Sequence, residues 1–263
     1  MKLLLTIRAV FGAMGNRWKM SNRIISPIFG VATLLALGFG PVASAADQEG
    51  IAVAIVYDTS GSMKESVPTA NGTYAPKYRI ANRALESIVH RIQNFATNTP
   101  AGGPPRKIDC GLITFSGRTA VEAVKFGPFD AKAIQNWLKN YAGPDSATPL
   151  GTALEMASQT VLKSGLIHKH VVVITDGINT AGPDPATVMP RIKAKAAGQG
   201  TGISTHFVAF DVDAKVFAPV KKLGATVVGA SDEKQLNTQL EFIFEKKILL
   251  EEEEPKPAET KPK

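Results

Sequence analysis

The segment Ile51-Ala52-Val53-Ala54-Ile55-Val56-Tyr57-Asp58-Thr59-Ser60-Gly61-Ser62 opens with a near-continuous apolar run. It closes on a carboxylate and two hydroxyls two positions apart. A strand that is apolar at every position is covered on both faces, as in a parallel sheet flanked by helices. The polar turn that follows then sits at the carboxyl end of a buried strand. Carboxylate and hydroxyl oxygens grouped there suit a hard cation better than nitrogen or sulfur ligands would.

Outward from this strand, apolar runs alternate with helical spacing. Helical periodicity begins near Lys77, with Ala81, Leu85, Ile88, Ile92 and Phe95 on one face. The polar stretch 63–76 between them, with Pro68, Asn71-Gly72 and Pro76, reads as an exposed loop. Segments 108–115 and 119–126 flank Ser116-Gly117-Arg118 and read as a hairpin. Helices follow over 130–141 and 149–163. Residues 170–175, carrying Val171-Val172-Val173-Ile174, form a second strongly buried strand. A helix over 185–197 (despite Pro190), a strand over 204–210, a short helix over 215–223 and a short strand over 226–228 complete the alternation. A long amphipathic helix then spans 233–250. The expectation is a doubly wound α/β fold of Rossmann type. Its sheet is mostly parallel with one antiparallel edge hairpin, and helices cover both faces.

In such sheets ligands bind beyond the carboxyl ends of strands, where the strand order reverses. Two buried strands end in a carboxylate, the first at Asp58 and the second in Thr175-Asp176-Gly177. Between them lies a further hydroxyl loop, Ala147-Thr148-Pro149-Leu150-Gly151. Taken alone, Thr148-Pro149 is an ordinary helix start, with a capping hydroxyl and proline at the first helical position. Two carboxylates and three hydroxyls together can share one divalent ion. Mg²⁺ suits that set, with Mn²⁺ or Ca²⁺ as alternatives.

The three motifs, in this order, resemble the parts of a von Willebrand factor type A domain, in which they form a metal-ion-dependent adhesion site. The resemblance covers roughly residues 50–250. It implies that Ser60 and Ser62 coordinate the metal directly, and that Thr148 joins when ligand is bound. Asp58 and Asp176 would contact the ion directly or through water. It also implies a protein partner whose Asp or Glu carboxylate completes the coordination, and a last helix able to slide on ligand binding. Loops 63–76 and 143–147 would rim the metal.

The first 45 residues read as a signal peptide. Lys2, Arg8, Arg17, Lys19 and Arg23 are the only charges before Asp47, an apolar stretch follows, and Ala43-Ser44-Ala45 makes a small-residue cleavage pattern. The domain then occupies 46–250, and 251–263 is a charged tail too polar to fold alone. Cleavage leaves 25 basic against 23 acidic residues, a net charge of +2. That balance, without a basic patch interleaved with aromatics, does not point to nucleic acid. The expectation is a bacterial, exported protein, periplasmic or secreted, with no stable membrane insertion after cleavage. The single Cys110 excludes an internal disulfide.

No residue stands out as catalytic. A metal-dependent hydrolase of phosphate esters using the same site is the alternative. It lacks the second acid or base that an aspartate nucleophile requires. His168 and His170, alternating on one strand, form a conceivable metal pair but read as strand-edge histidines. His90 and His206 read as isolated. Asp211 and Asp213 follow the 204–210 strand and read as a solvated loop.

Overall fold

The computed structural model describes residues 48–99 and 105–250. The signal segment and the charged tail expected from the sequence lie outside them. The central sheet has six strands: β1 (Gln48–Tyr57), β4 (Ile108–Ser116), β5 (Thr119–Pro128), β6 (Leu166–Thr175), β7 (Ser204–Phe210) and β8 (Thr226–Ala230). Their spatial order is β5-β4-β1-β6-β7-β8. All neighbours pair in parallel except β4 and β5, the expected antiparallel hairpin. The chain leaves β1 toward β4 and β5, then crosses to β6 on the other side. The order therefore reverses between β1 and β6, the position where an open α/β sheet places its crevice.

Period-two alternation along β1 builds two cores. Ile51, Val53, Ile55 and Tyr57 face one layer with α1 (Lys77–Thr97) and α6 (Glu233–Ile243), joined by Ile134 of α2 (Ala131–Asn140). Ala52, Ala54 and Val56 face the other, with α3 (Leu150–Val161), α4 (Pro185–Gly198) and α5 (Ala218–Lys222). All seven β1 residues from Ile51 to Tyr57 are fully buried. Each large apolar side chain so buried contributes roughly 1.5–3 kcal/mol. Tyr57 is buried because its hydroxyl is satisfied, donating to Asn82 Oδ1 at 2.6 Å and to the Tyr78 carbonyl at 3.0 Å.

The structure departs from the sequence reading in four places. The segment expected as a plain loop carries a small antiparallel hairpin, β2 (Ser66–Pro68) paired with β3 (Tyr74–Pro76). The last helix is not uniform: α6 ends at Ile243 and a π-helical turn, Phe244–Ile248, follows. The short helix expected over 215–223 is a 3₁₀ turn, Ala214–Phe217, followed by α5. Finally, α3 begins at Leu150 with Pro149 as its cap and no side-chain capping bond, so Thr148 does not cap it.

Candidate metal centre at the carboxyl end of the sheet

Asp58 is the first residue past β1, and its N–H still pairs with the Ile174 carbonyl of β6 at 3.0 Å. Its carboxylate is fully buried. One oxygen accepts from the Ser60 N–H at 2.7 Å and the other from Thr175 Oγ1 at 2.5 Å. Burial raises its pKa to about 6, with repulsion from Asp176 adding to the rise and the hydrogen bonds opposing it. Thr59 then pins the loop to β4. Its hydroxyl donates to the Phe115 carbonyl at 3.0 Å and accepts from the Phe115 N–H at 2.9 Å, in place of ordinary strand pairing.

With Thr59 anchored, Ser60 and Ser62 point the same way. Their hydroxyl oxygens lie 3.1 Å apart, and Ser62 Oγ donates to Asp176 Oδ1 at 2.8 Å. Neither hydroxyl is spent on local structure. Ser60 makes no side-chain capping bond to the 3₁₀ turn that it precedes, and Glu65 N–H bonds to the Ser62 carbonyl. Thr148 is buried, and its backbone makes the local contacts. Its N–H donates to Thr180 Oγ1 at 2.8 Å, and its carbonyl accepts from the Thr180 N–H at 2.9 Å. A Cβ placed on Gly177 would lie 3.9 Å from both Ser62 Oγ and Thr148 Oγ1, so Thr148 stands beside Ser62 over the same glycine.

Gly151 of the Thr148 motif has a steric reason. A Cβ there would meet the Pro183 carbonyl oxygen at 2.0 Å, while its N–H donates to Asn179 Oδ1 at 3.1 Å. Only glycine lets the start of α3 press against the loop after β6. The 143–147 loop also docks here: Asp145 and Ser146 N–H groups donate to the Thr59 carbonyl, and Gly61 N–H to the Ser146 carbonyl.

The oxygen set fits a small divalent ion. An octahedron with ligands at about 2.1 Å has adjacent oxygens roughly 3 Å apart, close to the 3.1 Å between Ser60 and Ser62. Two buried carboxylates that repel one another are the charge such an ion neutralises. Close by, Tyr141 Oη is buried with no hydrogen-bond partner, and burial followed by the Asp58 charge pushes its pKa up.

Sequence reasoning missed two residues. Thr175, quoted within the Asp176 motif but given no role of its own, donates to Asp58. Lys77, the first residue of α1, is 2% exposed and sends its ammonium into the site. Nζ lies 2.9 Å from Asp176 Oδ2, 2.9 Å from Glu65 Oε2 and 3.1 Å from Asp211 Oδ2. Burial alone would lower the pKa of this ammonium, but hydrogen bonds to the carboxylates outweigh it and raise the pKa. The signal was available: a cation at the first position of a helix opposes the dipole and needs a compensating partner. Asp211 is thus an ion-pair partner, not simply a solvated loop residue, and Asp213 caps the 3₁₀ turn through the Lys215 N–H.

The histidines also differ from expectation. His168 Nε2 lies 3.2 Å from Glu49 Oε1. His206 is not isolated: it stacks on His170 with ring centroids 5.6 Å apart, and His170 Nδ1 lies 3.3 Å from His206 Nε2. Among the described residues no group of three His, Cys, Asp or Glu is placed to hold a metal. The candidate centre depends on hydroxyls.

A sequence model of the von Willebrand factor type A domain matches residues 52–241. The chain belongs to this family. No curated protein sequence matches it. Several solved structures share its fold. The PilB minor pilin of Streptococcus sanguinis aligns at 16% identity with TM-score 0.57, covering 75% of this chain and 61% of the pilin. The vWF domain of the type V pili tip protein Mfa5 from Porphyromonas gingivalis aligns at 12% identity with TM-score 0.55, covering 75% of this chain and 94% of that domain. Proximal thread matrix protein 1 of the mussel byssus, solved with a zinc-occupied MIDAS motif, aligns at 16% identity with TM-score 0.52. That match covers 74% of this chain and 47% of the byssus protein. The chain thus spans less than two thirds of the pilin and of the byssus protein. These likenesses are of fold; the loops at the carboxyl end of its sheet carry Asp58-Thr59-Ser60-Gly61-Ser62, Thr148-Pro149-Leu150-Gly151 and Thr175-Asp176-Gly177.

Proposed function

We propose that this type A domain is an exported protein-binding module. Asp58, Ser60, Ser62, Thr148 and Asp176 would hold one divalent cation, Mg²⁺ foremost. When bound, that cation supplies positive charge and a coordination position for an anionic oxygen. The partner would be a protein that offers an Asp or Glu carboxylate. One observation carries the reading: three hydroxyls from two loops converge on two buried carboxylates while doing no capping work of their own.

The rim supports a protein partner. Ile178, two residues after Asp176, is 58% exposed, and Tyr74 on the β2–β3 hairpin is 72% exposed. Aromatic and large aliphatic side chains held out beside a charged centre suit an interface with an apolar core. A non-enzymatic role fits the placement of Asp58. Its side chain has no exposed surface, so a substrate has no approach for nucleophilic attack by it. Export rests on the signal-like first 45 residues. Among the described residues no helix is long and apolar enough to cross a membrane.

Capture from the exported fraction tests the proposal. Immobilised wild-type protein should retain a partner in Mg²⁺ and release it in a chelator, and Asp58→Ala should retain none. Equal recovery of the same partner by both proteins would remove the metal from the mechanism. Metal-dependent phosphoester turnover abolished by Asp58→Ala would favour the hydrolase reading instead.

A further inference from the structure

Lys77 is the most completely buried cation among the described residues, and it stands where burial is least favourable. It occupies the first position of α1, at the positive end of the helix dipole. An ammonium has three protons to donate and accepts none. Here three carboxylate oxygens from three separate segments take them: Glu65 beyond the serine loop, Asp176 beyond β6 and Asp211 beyond β7. Only Asp176 among these is as buried as Lys77, since the Glu65 and Asp211 side chains are 69% and 40% exposed. Solvent screens the two outer acids. The charge of Lys77 therefore acts chiefly inward, on Asp176. That carboxylate is a bridge, with Oδ2 on the ammonium and Oδ1 on Ser62 in the hydroxyl cluster.

We infer that Lys77 is a built-in counter-ion of the metal centre. It holds the centre assembled without metal and keeps its metal affinity low. The inference rests on the metal reading proposed above. Without a cation, Asp58 and Asp176 repel one another, and Lys77 offsets that repulsion from one side. With a cation bound, Lys77 is a like charge one carboxylate away and weakens binding. The two central carboxylates balance a divalent ion, and the solvent-screened Glu65 and Asp211 offset the lysine only in part, so the inner, loaded centre keeps a positive excess. An anionic ligand removes that excess. Metal binding and capture of an acidic partner should therefore reinforce each other, as linked equilibria must.

Calorimetric titration with Mn²⁺ at low ionic strength tests this on wild type, Lys77→Met and Asp211→Asn. Lys77→Met should bind Mn²⁺ at least tenfold more tightly than wild type, while its melting temperature in chelator falls. Asp211→Asn removes an acid that neutralises Lys77 from outside and should weaken binding, by about threefold given its exposure. A purely structural lysine, still anchored by Asp176 and Glu65, would weaken binding in Lys77→Met and leave it unchanged in Asp211→Asn, so the pair of results is diagnostic. Unchanged or weaker Mn²⁺ binding by folded Lys77→Met overturns the inference. Should Lys77→Met and Lys77→Gln both fail to fold, Asp211→Asn decides it: weaker binding supports the counter-ion, and unchanged binding overturns it. A wild type that binds no Mn²⁺ would overturn the metal centre itself, an outcome distinct from equal affinities in wild type and Lys77→Met.

Discussion

His170 on β6 and His206 on β7 sit within the sheet, their rings stacked against the α1 side. Asp58 and Asp176 sit one residue past the ends of β1 and β6. Both pairs are buried, both bring titratable groups from neighbouring strands together, and on residue type alone the histidines are the better-known metal ligands. Their surroundings separate them. A side chain in mid-strand is hemmed in by its own ladder and by alternating apolar neighbours such as Val172 and Val208. It packs within the sheet layer, and among the described residues no third His, Cys, Asp or Glu joins the pair to hold a metal. A side chain just past the strand end meets the turns that reverse the chain. Two loops, the one after β1 and the one before α3, place Ser60, Ser62 and Thr148 beside the carboxylates. The difference teaches that position along the strand, more than ligand type, decides which polar pair becomes a site.

The largest expected effect breaks the comparison outright. Asp58→Ala should lower divalent-cation affinity by about a hundredfold or more, whereas His206→Gln should leave it within about twofold. Calorimetry on the two variants checks this, and a reversed order would transfer the centre to the histidines.

Next comes pH. The folded state holds Asp58 at about 6 against a reference value of 3.8. Between those values the folded state binds more protons than the unfolded state, so metal-free stability falls as pH rises through that window. The shift corresponds to about 3 kcal/mol at neutral pH. Urea melts in chelator at pH 4.5 and 7.5 should show this slope in wild type. It should be missing from Asp58→Asn, and Mg²⁺ should reduce it.

Smaller still is the packing of the Thr148 loop. Gly151→Ala should destabilise the protein by roughly 1–3 kcal/mol, because the new methyl strikes the Pro183 carbonyl. It should also weaken metal binding through displacement of Thr148. Exchange of the amides around His170 should stay as slow as global opening allows.

Much of this was legible in the sequence because the fold writes itself in local pattern. Two buried apolar runs, 51–57 and 171–174, lead to Asp58 and Asp176, give the parallel sheet and place both carboxylates at one end. Thr148 falls between them by chain order. The partners of Lys77 were illegible for the opposite reason. They lie 12, 99 and 134 positions away in sequence, and only the finished fold gathers them. His206 likewise reads as isolated until β7 lies beside β6. The β2–β3 hairpin hid behind Pro68 and Pro76, which argue against a central strand yet are tolerated at the ends of these three-residue strands. Thr148 and Pro149 matched a capping pattern so well that the motif concealed the real cap, one residue later. Because the helix does not use the hydroxyl, it is left for the site.

The most direct measurement is anomalous diffraction from crystals grown with Mn²⁺. The Ser60–Ser62–Asp176 cluster should show one strong peak, about 2.0–2.3 Å from the Ser60 and Ser62 hydroxyl oxygens, and Asp58→Ala crystals should lose it. A peak between His170 and His206, or none at the hydroxyl cluster in crystals saturated with Mn²⁺, would contradict the assignment of the centre.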